Sequence, residues 1–83
     1  MRLIVKLYAG LSQFLPPATK DNTLELDTVD DMTPAGIIAQ FNLPTELVHI
    51  VLLNGVYVKP EDRSDVVLQD GDTLAMWPPV AGG

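Results

Sequence analysis

Apolar and polar residues alternate along several stretches of this chain, and that alternation sets most of its expected structure. Leu3, Val5 and Leu7 interleave with Arg2, Ile4, Lys6 and Tyr8, the period-two signature of a strand with one buried face. Thr23-Leu24-Glu25-Leu26-Asp27 repeats the pattern after an Asp21-Asn22 turn signal. Between them, Leu11-Ser12-Gln13-Phe14-Leu15 suits one helical turn, stopped by Pro16-Pro17. The period then changes. Thr33 predicts an N-cap, Pro34 the first helical position, and Asp30 and Asp31 put negative charge near the positive end of the helix dipole. Ile37, Ile38 and Phe41 form the apolar stripe, Asn42 suits a left-handed cap, and Pro44 forbids continuation. Gly36 inside this helix costs about 1 kcal/mol relative to alanine, which points to close packing against a sheet. Residues 48–53 are an apolar run interrupted by His49, as a central strand requires, and Asn54-Gly55 turns the chain back through Val56-Tyr57-Val58. Residues 59–64 read as a polar loop and Asp70-Gly71-Asp72 as a turn. Residues 73–77 make the last strand, ended by Pro78, which has no N–H to give to a ladder.

The order strand, strand, helix, strand, short strand, strand predicts an α+β domain with a β-grasp arrangement, as in ubiquitin. It is a mixed sheet of about five strands with one main helix across one face. Residues 1–77 are expected to form this domain and residues 78–83 a flexible, extended C-terminal tail. Alternation assigns Leu3, Val5, Leu7, Val56, Val58, Leu74 and Met76 to the helix-covered face and Tyr8, Tyr57 and Trp77 to the open one. Three of the five aromatic residues on an uncovered face make a candidate docking patch, with Trp77 at the root of the tail. The alternative is that aromatic residues suit strands and are scattered singly.

Composition narrows the class. Eighty-three residues, 47% hydrophobic and without cysteine, make one small domain with no disulfide, a composition that fits a reducing compartment. Charge interrupts the N-terminal apolar residues too early for a signal-peptide core, and no apolar run nears the ~20 residues of a membrane span. The expectation is a cytoplasmic protein that engages no membrane. A net charge of −6, dispersed along the chain, argues against a nucleic-acid partner. The charge solubilises the surface and would also steer a partner with a basic face.

Candidate chemistry gathers at the end of the sequence. Trp77-Pro78-Pro79-Val80-Ala81-Gly82-Gly83 is a stiff stalk with a bare tip: proline fixes φ, and glycine lets a backbone lie in a narrow channel. From Pro78 to Gly83 it spans at most roughly 20 Å at ~3.3–3.6 Å per residue. A frayed terminus is the alternative. Elsewhere no catalytic set is visible. His49, the one histidine, sits among apolar residues and reads as structural. Ser12 and Ser64 lack a base or elbow motif, no glycine-rich phosphate loop is present, and Asp70-Gly71-Asp72 falls short of a calcium loop. No metal site is expected. If the chain takes part in chemistry, its own terminal carboxyl is the reacting group.

Lys6-Leu7-Tyr8-Ala9-Gly10-Leu11, Leu53-Asn54-Gly55-Val56, the Leu-Gln-Asp-Gly-Asp run at 68–72 and above all Met76-Trp77-Pro78-Pro79-Val80-Ala81-Gly82-Gly83 resemble the ubiquitin-like sulfur carriers of the MoaD/ThiS family. They are most similar to the small subunit of molybdopterin synthase. The resemblance implies a substrate and subunit that is not an enzyme on its own. An E1-like adenylating enzyme would use ATP and Mg²⁺, neither bound by this chain, to convert the Gly83 carboxylate to an acyl-adenylate. A sulfur donor protein would then leave a thiocarboxylate. Pro78, Pro79, Val80, Ala81 and Gly82 would enter the active site of the large molybdopterin synthase subunit, in a heterotetramer, to deliver sulfur to a pterin precursor. Tyr8, Tyr57 and Trp77 match the positions through which family members dock. The stretch at 43–49 also resembles carriers of thiazole, cysteine and tungsten-cofactor pathways, and some archaeal relatives modify proteins. Sulfur transfer to thiamine or another product, and conjugation through Gly83, are therefore the alternatives.

Overall fold

A computed structural model of the chain describes residues 1–17 and 19–79. Among the described residues five strands and one α-helix succeed one another as β1 (Arg2–Leu7), β2 (Thr23–Asp27), α1 (Pro34–Gln40), β3 (Ile50–Leu53), β4 (Val56–Tyr57) and β5 (Thr73–Trp77). The strands form one mixed sheet in the order β2-β1-β5-β3-β4, antiparallel except where β1 meets β5. This is the expected β-grasp arrangement. Among the described residues no helix is long and apolar enough to cross a membrane.

The sheet's core face follows from the alternation. Leu3, Val5 and Leu7 of β1 and Leu74 and Met76 of β5 are buried, facing Ile37 and Ile38 of α1, Val51 of β3 and Val58. Leu11, from a 3₁₀ turn at Ala9–Phe14, and Leu68 close the ends of this core.

The helix starts and stops as its sequence directs. The Thr33 hydroxyl accepts from the Gly36 N–H at 3.1 Å, and Pro34 occupies the first turn. At the other end Asn42 has φ 56°. Its N–H donates to Ala39 O while the Leu43 N–H donates to Ile38 O, the paired bonds of a Schellman cap. The Asn54-Gly55 hairpin has φ of 50° and 84°, the doubly left-handed turn that matches strand twist.

Three expectations need correction. Val56 shares its side of the sheet with Leu53 and the buried Leu74, yet it is not covered: it is 67% exposed, because β4 stands at the sheet's edge. The run at 48–53 is strand only from Ile50, since a 3₁₀ turn at Thr45–Leu47 delivers Val48 to the core and leaves His49 outside regular pairing. The atoms that crowd Gly36 most closely are not those of the sheet. A Cβ there would meet the Met32 sulfur at 2.5 Å, so its packing constraint comes from the residue before the helix cap.

Two substitutions test this account by the shift in denaturant midpoint. Thr33→Ala should cost about 0.5–2 kcal/mol by orphaning the Gly36 N–H. Leu74→Ala, which empties the centre of the core, should cost about 2–5 kcal/mol.

Candidate functional site

The open face of the sheet is set by the same registers that build the core. Across it, Thr23, Lys6, Ala75, Leu52 and Tyr57 lie in one cross-strand row, and Trp77 pairs with Ile50 in the next. Tyr8, the residue after β1, stacks on Trp77 with ring centroids 4.6 Å apart and planes 9° from parallel. Tyr8, Tyr57 and Trp77 thus share a face, but they do not form one cluster. The first and last are stacked at the sheet's centre, whereas Tyr57, 52% exposed, stands at the β4 edge with Leu52 as its cross-strand neighbour. Ile50 and Leu52 fill the space between and, with Trp77 and Pro78, line an apolar depression of about 230 Å³. Sequence reasoning did not single out these two aliphatic residues, because an unbroken apolar run hides which of its members faces out. A larger hollow, about 490 Å³, lies toward the opposite edge of the sheet beside β2, among Arg2, Pro16, Lys20 and Glu25.

The root of the tail is tied down by backbone bonds. The Tyr8 N–H donates to Met76 O at 3.1 Å and the His49 N–H to Trp77 O at 2.9 Å. Because Ile50 is already the register partner of Trp77, residues 49 and 50 both oppose it, the two-against-one arrangement of a β-bulge. The carbonyls of the bulged segment are held by Arg63, from the segment after the 3₁₀ turn at Pro60–Asp62. Arg63 is buried at 6% exposure; its Nη1 donates to Val48 O at 3.1 Å and its Nη2 to His49 O at 3.2 Å. Its Nε is buried without an acceptor, and it forms no ion pair among the described residues. Nothing in a Pro-Glu-Asp-Arg-Ser string marks its arginine as the inward one; the signal lies in the carbonyls freed by the bulge.

The polar groups of the turns are used internally. Asp72 accepts from the Asn54 side chain at 2.9 Å and from the Gln69 N–H at 2.7 Å, and Asp70 accepts from the Arg2 N–H at 2.7 Å. The Asp70-Gly71-Asp72 run is therefore a structural turn. On the solvated end of the open face, a hydrogen bond from Arg2 to Glu25 at 3.0 Å, and then Asp27, push the guanidinium pKa up; all three side chains are exposed. Of the candidate tail residues, Pro78 is half-buried and Pro79 exposed, while Val80, Ala81, Gly82 and Gly83 lie outside the described residues.

The sequence model of the ThiS family matches residues 5–83. None of the curated proteins matches the chain. Among solved structures, the HVO 2177 protein of Haloferax volcanii is similar at 25% identity and a TM-score of 0.78, over 100% of this chain and 87% of that one. The thiamine biosynthesis protein ThiS of Geobacter metallireducens is similar at 19% identity and a TM-score of 0.68, over 100% of both chains. A chain from the complex of subunits 1 and 2 of molybdopterin-converting factor of Helicobacter pylori is similar at 22% identity and a TM-score of 0.60, again over 100% of both.

The Tyr8–Trp77 stack gives a direct test. Tyr8→Leu should abolish the Trp77 near-ultraviolet circular dichroism band and cost about 0.5–1.5 kcal/mol beyond lost area, read from the denaturant midpoint.

Proposed function

The chain belongs to the ThiS family of small ubiquitin-like sulfur carriers, and from that premise we propose that its reacting group is the Gly83 carboxylate. A carboxylate is a poor electrophile. A carboxylate oxygen attacks the α-phosphorus of ATP in an E1-like enzyme, pyrophosphate leaves, and the acyl carbon becomes attackable. Sulfide, delivered by a donor protein, then attacks that carbon. The C–O bond to AMP breaks, a C–S bond forms, and a thiocarboxylate remains. This chain supplies no catalytic side chain to either step; it is the substrate, and ATP and Mg²⁺ belong to the activating enzyme.

In the second stage the tail from Pro78 onward enters a larger partner subunit and passes its sulfur to a pterin precursor on the way to molybdopterin. The single observation that carries the carrier role is the family match running through residue 83, behind a strand that ends in a proline stalk. The pterin branch is supported by the likeness to a chain of the molybdopterin-converting-factor complex, in which two subunits associate. On this chain the open face around Tyr8, Trp77, Ile50 and Leu52, with Tyr57 at its edge, suits the docking surface for such a subunit. Thiazole formation is the second reading, favoured by the likeness to a thiamine biosynthesis protein over the full length of both chains.

With an activating enzyme, ATP and sulfide, the intact protein should gain the mass of one sulfur less one oxygen. Removal of Gly82 and Gly83 should abolish that gain and leave the unfolding midpoint unchanged. Supplying the charged carrier with either a pterin or a thiazole precursor and the matching synthase separates the two branches. No mass change beside a positive-control carrier would sink the proposal.

A further inference from the structure

We propose that Arg63 is a positioning residue that aims the tail by propping the bulge at residues 49 and 50. Three observations meet at this side chain. It is buried without a carboxylate partner, so its charge is neutralised by backbone dipoles alone, an arrangement that costs desolvation and is not expected of a polar loop residue. Its two donors take the consecutive carbonyls of Val48 and His49, whereas its own carbonyl accepts from the Ala35 N–H in the first turn of α1 at 2.9 Å. The segment it holds carries the His49 N–H, whose acceptor is the Trp77 carbonyl.

That carbonyl belongs to the Trp77–Pro78 peptide group. Its orientation fixes the plane from which the tail departs, and the proline ring then fixes the next φ. The Tyr8–Trp77 stack holds the ring of Trp77, while this peptide plane is held by the ladder pairing with Ile50 and by the added bond from His49. If the bulge relaxes, the last firm anchor outside the Ile50 pairing retreats to the Met76 carbonyl, held by Tyr8. The Trp77–Pro78 plane then rests on the Ile50 pairing alone, and the direction in which the tail departs is less sharply fixed. A lysine at 63 keeps the charge but presents a compact ammonium in place of a planar fork, and cannot span both carbonyls in the same geometry.

The test is amide hydrogen exchange on the full chain and on Arg63→Lys, followed by NMR. In R63K the His49 amide should exchange roughly tenfold faster, the worth of one charge-assisted hydrogen bond, while the Val5 and Leu74 amides hold their rates. R63M, which removes charge and both bonds, should exceed that acceleration; if it fails to fold, R63K alone decides. The functional arm rests on the sulfur-carrier reading. In the thiocarboxylation assay R63K should lower kcat about tenfold, as misaimed reacting groups do, with KM within about twofold because the side chain at 63 is buried and presents no surface to the activating enzyme. The inference is overturned if the His49 amide is no faster in R63K, or speeds up only in step with Val5 and Leu74. It is also overturned if kcat is unchanged in R63K while the natural chain accepts sulfur. Should the natural chain accept none, the carrier reading falls, and the exchange comparison still decides what Arg63 does.

Discussion

The parallel pairing of β1 with β5 is the constraint on which the rest of the molecule depends. Ile4, Val5, Lys6 and Leu7 lie beside Thr73, Leu74, Ala75 and Met76, so the two ends of the chain meet in register at the centre of the sheet. A one-residue slip would turn Ala75 and Trp77 into the core and expose Leu74 and Met76. The same slip would pull Tyr8 away from Trp77. Core packing on one face and an aromatic stack on the other therefore select the same register. A third lock stands at the start of the strand, where the Asp70 carboxylate and the carbonyl of Asp72 accept from the N–H groups of Arg2 and Ile4.

Local signals made most of this fold legible. The Thr33-Pro34 start, the Asn42 cap and the Asn54-Gly55 hairpin are decided by residues a few positions apart, and each occurs where its chemistry requires. The alternations in β1, β2 and β5 are equally local. What could not be read depends on contacts between distant segments. Val56 looks like a core residue by its place in an alternating run, but whether such a residue is covered is settled by what packs beyond it, and β4 is the sheet's edge. Gly36 shows the same limit within a helix, since a glycine announces close approach without naming the atom that approaches.

The candidate site divides along the same line. Tyr8, Tyr57 and Trp77 were identifiable because strand alternation fixes the side of the sheet, yet their grouping was not: two stack and the third stands apart. Ile50 and Leu52 were hidden in an apolar run, where burial on both faces and burial on one look alike. Arg63 was the least accessible to sequence reasoning. Its inward position is forced by free carbonyls at 48 and 49, and those exist only because β3 opens with a bulge against Trp77.

A division of labour between body and tail follows from entropy. Ordering a residue in a partner's channel costs roughly 1–2 kcal/mol of backbone freedom, so each residue fixed beforehand removes part of that cost from binding. In this chain the fixing is concentrated at one point. The Trp77 ring is held by Tyr8 and its carbonyl by His49, and Pro78 and Pro79 have given up their φ freedom covalently. A tail departing from an edge strand such as β4, with one neighbour and two paired residues, would inherit the motion of that edge. Departing from β5, between β1 and β3, it takes its direction from the central strand of the sheet. A domain that contributes no side chain to a reaction can still control it, because the precision of the reacting end is limited by the rigidity of the strand behind it.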